Sequence, residues 1–142
     1  MANHCFVTSK KWFARPETID SLLIRLNEKH FEGKLDIQRV NKAEWYINAG
    51  MPNNGLSVWI TSARKLEIRH ALGTWMGWIC TSVQEFIASE LDCICSDEGI
   101  VERWKGRAFM SYEDYVNNLV DCVENEADKA LLKSYYLQEK VW

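Results

Sequence analysis

One stretch limits the choice of fold more than any other. From about residue 68 to 91 the chain carries Leu72, Trp75, Met76, Ile79, Val83, Phe86 and Ile87 at three- and four-residue spacing. That period sets them on one broad face of a helix, and a face so wide has to be covered by other elements. Gly73 and Gly77 lie within it. Each weakens a helix by up to about 1 kcal/mol relative to alanine, so their presence predicts the close approach of a neighbour.

The cover comes from both sides of this helix in the sequence. Pro16 and Glu17 open an N-terminal helix, since proline suits the first turn and an early acid complements the helix dipole. Ile19, Leu22, Leu23 and Leu26, followed by His30 or Phe31, give that helix one apolar stripe, and Gly33 is placed to end it in a left-handed cap. Residues 35–40 alternate imperfectly through Leu35, Ile37 and Val40. Residues 44–49 alternate better, with Trp45 and Ile47 on one face and Tyr46 and Asn48 on the other. Gly50 to Gly55 is dense in turn residues, and Leu56 to Thr61 reads as a third strand. His4 to Thr8 is a short strand or an extended arm, and residues 92–111 read as irregular. Two helices, about 112–124 and 126–139, finish the chain, the first capped by Ser111 with Asp114 three residues on. The expected fold is α+β: an N-terminal helix, a small antiparallel three-stranded sheet, a long central helix and C-terminal helices from about 111, all in one domain spanning 1–142.

Composition narrows the function classes. The 142 residues are 47% apolar, enough for a real core and too apolar for a disordered chain. Seventeen Lys and Arg against 20 Asp and Glu leave a formal charge of −3, which disfavours a generic nucleic-acid binder. Met1-Ala2-Asn3-His4 leads straight into a mixed segment, and no apolar run reaches the roughly 20 residues that cross a bilayer. The expectation is a soluble, cytoplasmic protein without a membrane partner. Five cysteines, Cys5, Cys80, Cys93, Cys95 and Cys122, form no regular disulfide framework and read as reduced thiols. Cys80 reads as a small hydrophobe in the apolar helix, and Cys93-x-Cys95 is too tight for the usual paired zinc ligands. The histidines His4, His30 and His70 are scattered.

Two motifs carry a family resemblance. Leu26-Asn27, Phe31, Gly33 and Leu35 form a pattern LN-x-x-x-F-x-G-x-L, and 58 residues beyond Leu26 stands Gln84-Glu85-Phe86-Ile87-Ala88 on the apolar helix. Over roughly residues 16–110 the order of helix, strands and second helix resembles that of SprT-like zinc peptidases. In such enzymes the second motif is H-E-x-x-H: two imidazoles one turn apart hold zinc, and the glutamate activates the metal-bound water. Here Gln84 and Ala88 stand at the histidine positions, and only Glu85 remains. The family's third ligand, a histidine beyond the helix, has its nearest counterpart in Lys105 of Lys105-Gly106-Arg107-Ala108-Phe109. An ammonium there would oppose a dication. The resemblance implies a peptidase fold without metal or cofactor, with Glu85 vestigial and no catalytic residue.

What remains is binding. The resemblance places a former substrate cleft at Trp78, Gln84, Glu85, Ala88, Arg103, Lys105 and Arg107, with a protein as the expected partner. Trp75 lies on the apolar stripe and is expected in the core, whereas Trp78 is expected at the surface. A stand-alone copy with an inactive site suits an inhibitor or decoy of a host protein, of the kind phages and mobile elements encode. Two other readings stay open. A hydrolase with a rearranged, metal-free site would use Glu85 and Cys80. A nucleic-acid-associated module would use the local basic cluster of Arg103, Lys105 and Arg107, against the overall charge.

Overall fold

The computed structural model describes residues 2–9, 15–48, 55–71, 74–91, 93–97 and 111–138. In chain order these form β1 (Ala2–Ser9), α1 (Pro16–His30), β2 (Asp36–Asn41), β3 (Glu44–Asn48), β4 (Gly55–Ser62), β5 (Lys65–Ala71), α2 (Thr74–Leu91), β6 (Cys93–Asp97), α3 (Tyr112–Val120) and α4 (Glu126–Gln138). The α+β class is as expected, but the sheet is not three-stranded. It has six strands in the order β2-β3-β4-β5-β1-β6, and every pairing is antiparallel.

Three strands account for the difference. Residues 2–9 are a full strand inserted between β5 and β6, pairing Cys5 with Ile68 on one side and with Asp97 on the other. Residues 68–71, expected to begin the central helix, belong instead to β5. Leu66, Ile68 and His70 are buried there while Lys65 and Arg69 are exposed, the two-residue period of a strand with one covered face. Residues 93–97, expected to be irregular, pair with β1 as the edge strand β6. Of the expected turn at Gly50 to Gly55, residues 50–54 lie outside the described residues and Gly55 begins β4.

One face of the sheet is closed. Cys5, Val7, Trp45, Ile47, Leu56, Val58, Leu66, Ile68 and His70 are all at most 5% exposed. The helix α2 packs over β1, β4, β5 and β6, with α1 against α2 and β2, α3 against α2, and α4 against α3. The opposite face presents half-buried Phe6, Tyr46, Trp59 and Glu67 with exposed Lys65 and Arg69.

The corner after α1 explains the first sequence motif. Leu26, Phe31 and Leu35 are buried, and the Phe31 and Gly33 amides both donate to the Asn27 carbonyl at 3.0 Å. Gly33 sits at φ +73°, where glycine meets no steric penalty. The Asn27 side chain then imitates a strand neighbour: its Nδ2 donates to the Leu35 carbonyl at 2.8 Å, and its Oδ1 accepts from the Leu35 amide at 3.0 Å. Trp45 Nε1 donates to Asp20 at 2.9 Å, tying β3 to α1. At the other end Ser111 Oγ accepts from the Asp114 amide as the N-cap of α3. The Tyr112 hydroxyl donates to the Tyr136 carbonyl at 2.8 Å, holding α4, none of whose residues is buried.

Asn27→Ala removes both partners of Leu35 at once and leaves a half-buried amide and carbonyl unmatched. The expected loss is about 1–3 kcal/mol. Urea unfolding should show a lower midpoint with an unchanged slope; a midpoint equal to the wild type would mean that the corner does not depend on this side chain.

Candidate functional site

The central helix brings the sequence-predicted residues to very different places. On α2, Trp75, Met76, Trp78, Ile79, Cys80, Thr81, Ser82, Val83, Gln84, Phe86 and Ile87 are all buried. A helix apolar nearly all round is an interior helix, not the wall of an open cleft. Trp78 is accordingly not the surface platform expected of it. It is 7% exposed and packs within 5.4 Å, centroid to centroid, of Phe31, Trp75 and Tyr112. The reason is a second cover: the end of α1 and the start of α3 close the side of α2 that faces away from the sheet. Gly77 belongs to this contact, since a Cβ there would lie 3.2 Å from the Tyr115 hydroxyl.

Gln84 is also interior. It is 7% exposed, and its Nε2 donates to the Phe6 carbonyl of β1 at 3.2 Å. Its Oε1 lies 3.9 Å from Cys80 Sγ, one turn earlier on the same helix face. The amide therefore joins helix to sheet. Glu85 and Ala88 are half-buried. The residues at the two α2 ligand positions of the resemblance, an inward amide and a methyl, do not fit a zinc ion. Arg103, Lys105 and Arg107 lie outside the described residues.

His30 ends α1 against this helix, its ring edge-on to Phe86 at 6.0 Å. Arg25 sits over the same Phe86 ring at 5.9 Å and reaches Glu90 at 3.2 Å. Partial burial, and then the neighbouring Lys29 charge, hold the His30 pKa below its usual 6.5.

A different set of metal-ligating side chains does converge. Cys5 on β1, His70 on β5 and Cys80 on α2 are all buried, and one ligand atom of each lies within 4.8 Å of the others. Sequence spacing pairs Cys93 with Cys95 and leaves Cys5, His70 and Cys80 far apart. Only the topology unites the actual three, because β1 pairs with β5 and α2 crosses both. The readable signal is the alternation of Leu66, Ile68 and His70, which turns His70 to the covered face.

No protein-family model, curated protein or solved structure matches the chain. Among the described residues no helix is long and apolar enough to cross a membrane.

Two measurements follow. Gln84→Glu replaces a buried donor with a carboxylate that cannot donate to the Phe6 carbonyl when ionised. Burial raises such a carboxyl's folded pKa above its unfolded value. The variant should therefore be nearest to wild type below about pH 4, where both states are protonated. It should lose stability as pH rises toward the folded pKa, at a rate of up to about 1.4 kcal/mol for each pH unit. Stability measured from pH 4 to 8 that parallels the wild type would place residue 84 in solvent.

For His30 the sign is opposite. A lowered folded pKa means that the unfolded chain binds the proton more readily, so stability is complete above about pH 6.5 and declines as pH falls below it. His30→Gln should flatten the wild-type decline between about pH 7 and 5 in urea unfolding.

Proposed function

We propose that this protein is a catalytically inactive, SprT-like pseudo-peptidase that acts in the cytoplasm by binding another protein. The observation that carries this reading is the bond from Gln84 to the Phe6 carbonyl. It uses the first ligand position of the resemblance as a structural tie between α2 and β1, so this side chain supplies no imidazole to a metal. The thiols of Cys5, Cys80, Cys93 and Cys122 accord with a reducing compartment.

Burial of Trp78 and Gln84 moves the proposed contact surface away from the former cleft. The face of the sheet that no helix covers among the described residues supports it better. Cross-strand register lines up Glu44, Trp59, Glu67 and Phe6 in one row, and Tyr46, Ser57, Arg69 and His4 in the next. His4 Nδ1 and Glu67 lie 2.6 Å apart, and Lys65 Nζ sits 4.2 Å over the Phe6 ring. Half-exposed aromatics among charges of both signs are the composition of a protein contact, where a few Trp and Tyr side chains supply most of the affinity. A nucleic-acid groove asks for a continuous basic track, which Glu44 and Glu67 interrupt.

Affinity capture with the full chain, followed by mass spectrometry, tests this. A specific partner should be retained by Glu85→Gln, and its affinity should fall about tenfold or more in Trp59→Ala, the loss typical of an interface anchor. Hydrolytic activity that Glu85→Gln abolishes would contradict the reading and favour a rearranged hydrolase.

A further inference from the structure

We propose that Cys5, His70 and Cys80 form a buried structural site for one thiophilic divalent cation, with zinc as the best match. The site is separate from the H-E-x-x-H-like positions and does not rest on the pseudo-peptidase reading. Its geometry is the first support. Tetrahedral zinc with bonds of about 2.0–2.3 Å sets its ligand atoms roughly 3.3–3.8 Å apart. The three ligand atoms here already lie within 4.8 Å of one another, so closure asks for about 1 Å of side-chain movement and no change of fold.

Chemistry is the second. Two thiols and an imidazole are a familiar protein set for zinc, and thiolate ligands select it over the hard oxygen-seeking ions. Binding releases the two thiol protons to solvent, so two thiolates and one dication leave the core neutral, which buried charges require. The third support is orientation. Gln84 Nε2 is anchored on the Phe6 carbonyl, and this turns Oε1 toward Cys80 at 3.9 Å. The same bond holds α2, and with it Cys80, against the strand that carries Cys5, and a water would complete four-coordination.

The three ligands come from elements that the sequence keeps apart. A cation here would clamp the sheet centre to the helix above it and stabilise the native state by mass action, since the site exists only when folded. This purpose differs from catalysis, in which an open coordination position faces substrate.

The test uses the full chain, reduced, stripped with a chelator and titrated with cobalt(II). One equivalent should bind and give intense thiolate-to-cobalt charge-transfer absorption. Zinc should then displace the cobalt and raise the melting temperature. Cys5→Ser, Cys80→Ser and His70→Asn should each weaken binding at least tenfold, while Cys93→Ser and Cys122→Ser leave it unchanged, with circular dichroism reporting whether each variant folds. The wild-type spectrum stands even if a core variant does not fold. Absence of charge-transfer bands in the reduced wild type would overturn the proposal, as would binding abolished by Cys93→Ser or Cys122→Ser, or a Cys5–Cys80 disulfide in the protein as isolated.

Discussion

The burial of α2 on nearly every side is the constraint from which the rest of the arrangement follows. A helix with Trp75, Met76, Ile79, Val83 and Ile87 all at most 2% exposed needs cover in more than one direction. The sheet supplies one side, and α1 and α3 supply the other. At about 25 cal/mol per Å² of apolar surface, covering these side chains dominates the favourable side of folding. Polar groups on such a helix have to be satisfied internally. Ser82 Oγ donates back to the Trp78 carbonyl at 3.0 Å, and Gln84 reaches across to β1.

This explains what is legible in the sequence and what is not. The stripe of α1, the strands β3 and β4, and the Ser111 cap are set by neighbours close in sequence, and each appears where local rules put it, whereas α1 ends at His30 and the left-handed turn takes Glu32 as well as Gly33. The limits of α2 are harder to read because Ile68 and Leu72 also fit its helical face. The alternation from Leu66 to His70 is the competing signal, and tertiary pairing with β1 and β4 decides in its favour. Trp78 escapes sequence rules for a related reason. Apolar periodicity finds the face turned to the largest neighbour, here the sheet, but not the second face closed by Phe31 and Tyr112. The cluster of Cys5, His70 and Cys80 depends wholly on strand order, which no spacing rule encodes.

The same packing shapes the functional account. A buried amide at position 84 and a half-buried methyl at 88 make α2 a pillar of the core, and half-buried Phe6, Tyr46 and Trp59 lie on the opposite face of the sheet. The same burial brings two thiols and an imidazole together where α2 crosses β1 and β5.

The central claim is that residue 84 is a structural tie within the core. The most direct measurement is the solvent exchange of the Gln84 side-chain amide protons by nuclear magnetic resonance, with the resonances assigned through a Gln84→Glu variant. The account predicts slowly exchanging protons with nuclear Overhauser contacts to β1 at Phe6 and Val7. Exchange at the rate of a free glutamine, with no contact to β1, would contradict it.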